Sequence, residues 1–149
     1  MTVTQKNKYG RIIFMRNKAR ECAFKIIFAS LFHEECGPSS RGVSKAFGTD
    51  ELDEEEKAYT NMLVSLVREH RDELLGYLDK YSIGFSEKRL FPADKSLLLM
   101  AMAEMKYVDD VPDIVAIDEA VGLAKKYSTE RSAGFVNGVL AAYLNGGKE

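Results

Sequence analysis

Cysteine, histidine and proline are scarce in this chain, and each scarcity removes a class of protein. Cys22 and Cys36 are the only cysteines among 149 residues. Two thiols cannot supply a disulfide framework, so a reducing cytoplasm is the expected compartment. The two histidines, His33 and His70, lie far apart in sequence and assemble no Ser, His and acid constellation. His33-Glu-Glu-Cys36 could donate metal ligands, but a structural zinc site needs a second ligand pair and the chain has none. The eleven glycines never fall into a phosphate-cradling loop or a dinucleotide fingerprint. The longest unbroken apolar run, residues 97–103, is far too short to cross a bilayer. Residues 1–15 hold only Ile12 to Met15 as an apolar stretch, which does not read as a signal peptide. No enzyme, no cofactor, no metal site and no membrane partner are therefore expected.

What is present is charge of uneven distribution and apolar residues at helical spacing. The net charge is −2, yet residues 1–30 carry Lys6, Lys8, Arg11, Arg16, Lys18, Arg20 and Lys25 against the single acid Glu21. That segment sums to +6 and the remainder to −8. A basic segment beside an acidic body suits a polyanion, because phosphates attract clustered Lys and Arg. The competing reading is a solvated tail that aids solubility.

With three prolines and no sustained alternation of period two, the chain reads as helices. Over about 17–35, Cys22, Ala23, Ile26, Ile27, Ser30 and Leu31 form one apolar face. Phe24, Phe28 and Phe32 form a second stripe, with Phe24 assigned to the core and Phe28 left open. Residues 36–49 carry loop chemistry. The acids of 50–56 complement the positive end of a helix whose inner face is Ala58, Tyr59, Met62, Leu63, Leu66 and Val67. Further helices are expected over 71–81, with Leu74, Leu75 and Leu78 inward, and from Pro92 to about 107. The next spans about 114–127, with Ile114, Ile117, Val121 and Ala124 on its core face. Ser132 is expected to cap the last helix, which Gly146 and Gly147 end. The fold class is all-α, a compact bundle of six or seven helices: a basic, flexible arm over 1–15, then one domain over 16–145.

Two segments carry a resemblance beyond composition. Near the N-terminus is Arg16-Asn-Lys-Ala-Arg-Glu-Cys-Ala23. Toward the C-terminus come Asp110-Val-Pro112, Val115-Ala-Ile-Asp-Glu-Ala120, Leu123-Ala-Lys-Lys-Tyr127 and Phe135-Val-Asn-Gly-Val-Leu140. In this order and spacing they resemble the NusB family of bacterial transcription antitermination factors. The resemblance implies two packed helical subdomains and a partnership with a small-subunit ribosomal protein, called NusE in this role. The pair would bind single-stranded boxA RNA of nascent ribosomal RNA transcripts and join an antitermination complex on RNA polymerase. Family members occur both as monomers and as homodimers. Carried over by position, the implied RNA contacts are Arg16, Lys18, Arg20, Lys125, Lys126, Tyr127 and Phe135. The implied partner contacts are Phe28 and Asp94; for Asp94 helix capping or dipole complementation is an equal alternative. Asn137 and Gly138 are read as close helix contacts. Asn17 interrupts the family's Arg run, and Arg131 stands where some members have an acid. The alternative function is a helical protein-interaction adaptor with no specific RNA binding.

Overall fold

The computed structural model describes residues 3–32, 48, 51–84 and 87–149, with side chains from Arg16 onward except Glu87. Six α-helices occur among these residues and no strand. They are α1 Val3–Ser30, α2 Glu54–Glu69, α3 Arg71–Tyr81, α4 Pro92–Tyr107, α5 Asp113–Tyr127 and α6 Glu130–Asn145, with a 3-10 turn at Glu87–Arg89. The chain divides into two compact units, Met1–Met62 and Leu63–Glu149. The His33 to Cys36 ligand set and most of the 36–49 loop fall outside the described residues.

In the first unit α1 begins at Val3, well upstream of the expected start near 17. No proline precedes Pro38, so no proline breaks the helix over these residues, and the single Gly10 weakens it without ending it. Ala19, Cys22, Ala23, Phe24, Ile26 and Ile27 are buried, while Ser30 and Leu31 are half-exposed. The helix closes with tightened bonds: Leu31 and Phe32 N–H donate to Phe28 and Ala29 carbonyls, and the Ser30 hydroxyl donates to Ile27 O at 2.6 Å.

Helix α2 starts on a reciprocal cap. The Glu56 N–H donates to Asp53 Oδ1 at 2.8 Å and the Asp53 N–H to Glu56 Oε1 at 3.1 Å. This capping box satisfies two orphan donors at once. Its buried face is Tyr59, Thr60, Leu63, Val64 and Val67; Ala58 and Met62, expected inside, are exposed. Thr60 is tolerated there because its hydroxyl lies within hydrogen-bond reach of Glu56 O at 2.8 Å and Ala19 O at 3.2 Å.

The second unit is built around α4. Every residue from Ser96 to Met105 is buried, so this helix has no solvent face, as its continuous apolar run requires. Helices α3, α5 and α6 pack on it, and α6 also packs on α3 and α5. Burying each of Leu97, Leu98 and Leu99 contributes about 1.5–3 kcal/mol. Pro92 opens α4 at its first turn, where a missing N–H costs nothing.

Helix α5 corrects one expected face. Ile117 and Ala124 are buried, but Ile114 is 67% exposed and Val121 half-exposed. The covered arc is centred on Ala116 and Ala120, one turn apart, with Leu123. Two alanines carry too little hydrophobic signal to mark that arc in the sequence. Gly138, expected at a close helix contact, is exposed with open space where a Cβ would sit, and Asn137 is exposed too.

One polar network ties α3 to α4. The Glu73 carboxylate accepts from Lys106 Nζ at 2.6 Å, from the Tyr77 hydroxyl at 2.7 Å and from the Tyr107 hydroxyl at 2.8 Å. Lys106 also donates to the Tyr77 hydroxyl, and the His70 ring stacks on Tyr107 at 4.0 Å. The Lys106 hydrogen bond, then those of the two tyrosines, hold the Glu73 carboxyl down at about 2, and the same pairing raises Lys106.

Ile117→Asp buries an unpaired carboxylate and should cost several kcal/mol, against a typical stability of about 5–15 kcal/mol. Ile114→Asp lies on the open arc and should change the melting temperature by no more than a few degrees. Equal losses in the two variants would refute the assigned face. For Glu73 the ordinary value is 4.5 and the folded value about 2. The unfolded chain therefore takes up the proton first. The network's contribution is complete above about pH 4.5 and is lost as pH falls toward 2. Urea unfolding of Glu73→Gln should show lower stability at neutral pH and a shallower acid decline than the parent across that window.

Candidate nucleic-acid interface

The basic residues of α1 do not share one environment. Lys18 is exposed, and Arg16 is half-buried with its guanidinium carbon 4.4 Å from the Tyr59 ring centroid. Arg20 is only 1% exposed, 5.7 Å from the same ring. This corrects the expectation for Arg20: a guanidinium so buried is not offered to a phosphate, and its cation–π contact fixes it inside the first unit. On the same helix Phe24 is buried, whereas Phe28 is 37% exposed and Phe32 more so. Their rings stand in series, 6.2 Å and 5.3 Å apart, so Phe28 is held by a ring on either side while part of it stays exposed. Cys22 is buried, and burial pushes its thiol up, as for a small core residue.

In the second unit, Lys125, Lys126 and Tyr127 end α5, all exposed, with Lys126 Nζ 5.4 Å from the Tyr127 ring centroid. Cations at a helix C-terminus also complement the dipole, which accounts for their spacing without any ligand. Phe135 is half-buried on α6. It lines a groove of about 380 Å³ together with Arg89, Phe91, Asp94, Arg131 and Ser132. Phe91, just before Pro92, is 73% exposed.

The groove lies where the N-termini of α4 and α6 meet. The cap of α6 is Thr129, whose hydroxyl accepts from Ser132 N–H at 3.0 Å. Ser132 is thus not the cap expected of it; it sits inside the first turn. The Ser132 hydroxyl donates to Asp94 Oδ2 at 3.1 Å and receives the Ser128 hydroxyl at 2.9 Å. Asp94 is 3% exposed. This corrects the picture of an acid presented on an open partner-facing surface. Asp94 does not cap α4, because Phe91 holds that position with no side-chain bond, but it lies in the helix's first turn, where an acid complements the dipole. Burial raises the Asp94 carboxyl above its ordinary range, opposed by the serine hydrogen bonds. Its second oxygen, Oδ1, is buried and has no hydrogen-bond partner among the described residues.

Arg89 and Phe91 were missed in the sequence, where nothing marks residues of a connection as one wall of a groove. Among the described residues no group of three His, Cys, Asp or Glu could hold a metal ion, and no helix is long and apolar enough to cross a membrane.

The NusB family model matches residues 17–145. The transcription antitermination protein NusB of Agathobacter rectalis is 38% identical over 131 residues, covering 86% of this chain and 98% of that protein. That of Natranaerobius thermophilus is 33% identical over 134 residues, covering 87% and 94%. A solved complex of the antitermination factors NusB and NusE with double-stranded RNA aligns with a TM-score of 0.77 at 25% identity, over 89% of this chain and 97% of that one. With matches of this extent at both the sequence and the structural level, the chain belongs to the NusB family.

Proposed function

We propose that this protein is a non-catalytic antitermination factor that binds RNA jointly with a small-subunit ribosomal protein of the NusE type. The observation that carries the reading is the alignment, over nearly the whole chain, with a NusB that was solved together with NusE and RNA. The finer reading is that the RNA is a boxA element of nascent ribosomal RNA, bound in the cytoplasm, and that the complex assembles on RNA polymerase.

The chemistry of the side chains supports it. Lys18, Lys125 and Lys126 are exposed cations, and Arg16 is half-buried on the same helix as Lys18. Tyr127 and Phe135 offer rings on which unpaired bases stack, which favours single-stranded RNA as the ligand. Phe28 supplies an apolar anchor of the kind that dominates protein interfaces, and it is the partner-facing residue of this reading.

Titration of labelled boxA-type RNA and a scrambled control, with and without the ribosomal partner and at several salt concentrations, tests the function. Specific recognition keeps its preference for boxA as salt rises; equal affinity for the scrambled strand would leave only the adaptor reading. Replacing Lys18 by Ala, or Lys125 and Lys126 together, should flatten the salt slope by about 0.7 for each phosphate that is no longer neutralised. Arg20→Ala should instead lower stability, because it removes a buried group. Phe28→Asp should remain folded by circular dichroism and weaken partner binding at least tenfold by calorimetry. A folded variant that binds normally would place Phe28 outside the interface.

A further inference from the structure

The segment that follows α6 is tied back to three other helices of the second unit. The Gly146 and Gly147 N–H groups end α6 on the Ala142 and Leu144 carbonyls, and the Lys148 N–H reaches back to Tyr143 O at 2.9 Å. That turn puts Gly147 at φ 80° and Lys148 at φ 63°. Glycine adopts such a conformation freely; in lysine it is strained and persists only where other contacts hold it. Those contacts are present. Lys148 Nζ lies 3.4 Å from Met105 O and from both oxygens of Asp113. Met105 belongs to the last turn of α4 and Asp113 to the first turn of α5. One ammonium thus meets the negative end of one helix and the acid that opens the next. Glu149 O accepts from the Tyr81 hydroxyl at 2.6 Å and from Lys80 Nζ at 3.1 Å, both at the C-terminal end of α3. A Cβ on Gly146 would stand 2.1 Å from the Tyr81 hydroxyl oxygen, so glycine at this position lets the ring close on the segment.

The ties are weak one by one. The Lys148 bonds are long, and the Lys148 and Asp113 side chains keep 33% and 28% of their surface in solvent. A strained residue held by weak bonds opens at lower cost than the core beneath it. We propose that residues 146–149 form a strap that clasps the C-terminal end of α3 to the α4–α5 turn and opens locally, releasing that end of α3 while α4 stays packed. The Glu73 network fastens α3 near its start, and Leu74 and Leu78 are its buried residues. Its last turn is therefore the part that the strap secures. Salt is a lever on it, because screening weakens a partly exposed ammonium–carboxylate pair.

Amide hydrogen exchange on the full chain, resolved residue by residue by NMR, tests the strap. The amides to follow are Gly147, Lys148 and Ser82, the last of which donates to Leu78 O. In the parent they should exchange faster than those of 98–102 in α4, and faster still at high salt. Lys148→Met keeps the stem and removes the ammonium. It should speed exchange at Gly147, at position 148 and at Ser82 by about tenfold, abolish the salt response, and leave the α4 amides unchanged. Tyr81→Phe removes the other tie; it should speed the same three amides and retain the salt response. Lys148→Gly relieves the backbone strain while losing the ammonium, and should fall between the parent and Lys148→Met. Unchanged exchange at Ser82 in both Lys148→Met and Tyr81→Phe overturns the proposal, since the segment would then secure nothing in α3. Equal acceleration of the α4 amides overturns it too, because the opening would then be global unfolding.

Discussion

The second unit depends on one constraint: α4 has no solvent face. A helix buried from Ser96 to Met105 must be covered on every side, and α3, α5 and α6 each supply part of that cover. Such a helix can meet solvent only at its ends. The C-terminal end carries Lys106 and Tyr107 into the Glu73 network, which fastens α3 with charge-assisted hydrogen bonds. The N-terminal end carries Asp94 to the edge of the groove. Both polar assemblies therefore sit where the central helix runs out of apolar neighbours.

The two carboxylates at those ends have opposite fates. Glu73 is surrounded by donors, and its charged form is stabilised well below the usual carboxylate range. Asp94 receives its main influence from burial, and the hydroxyl relay satisfies only one oxygen. A satisfied network rigidifies a fold, whereas a partly satisfied one leaves a buried polar atom whose desolvation is costly. The difference lies in the neighbours that helix packing delivers to each, since both residues are simple acids in the sequence.

Charge shows the same division in the first unit. Arg16, Lys18 and Arg20 lie within five residues, yet one is half-buried, one exposed and one enclosed. Tyr59, brought to α1 by α2, takes up both arginines. The count of basic residues therefore overstates the charge available to a polyanion, because part of it serves the interior.

Local chemistry was enough to establish the helical class, the start of α4 at Pro92, the span of α3 and the burial of Phe24. Each of these follows from the fixed φ of proline, the spacing of apolar residues or the breakers between them. The acidic opening of α2 was legible as a helix start, although the reciprocal bonding of Asp53 and Glu56 emerged only in the backbone geometry. Long-range packing settled the rest: which arc of α5 is covered, that Phe28 stays partly exposed, that Arg20 is enclosed, and that Asp94 lies beneath a groove walled by Phe91 and Phe135. Periodicity places a residue around its own helix axis but does not say which neighbour arrives on that side. Ala116 and Ala120 face the core because other helices come close there, and Ile114 stays in solvent because none of the described helices covers its arc.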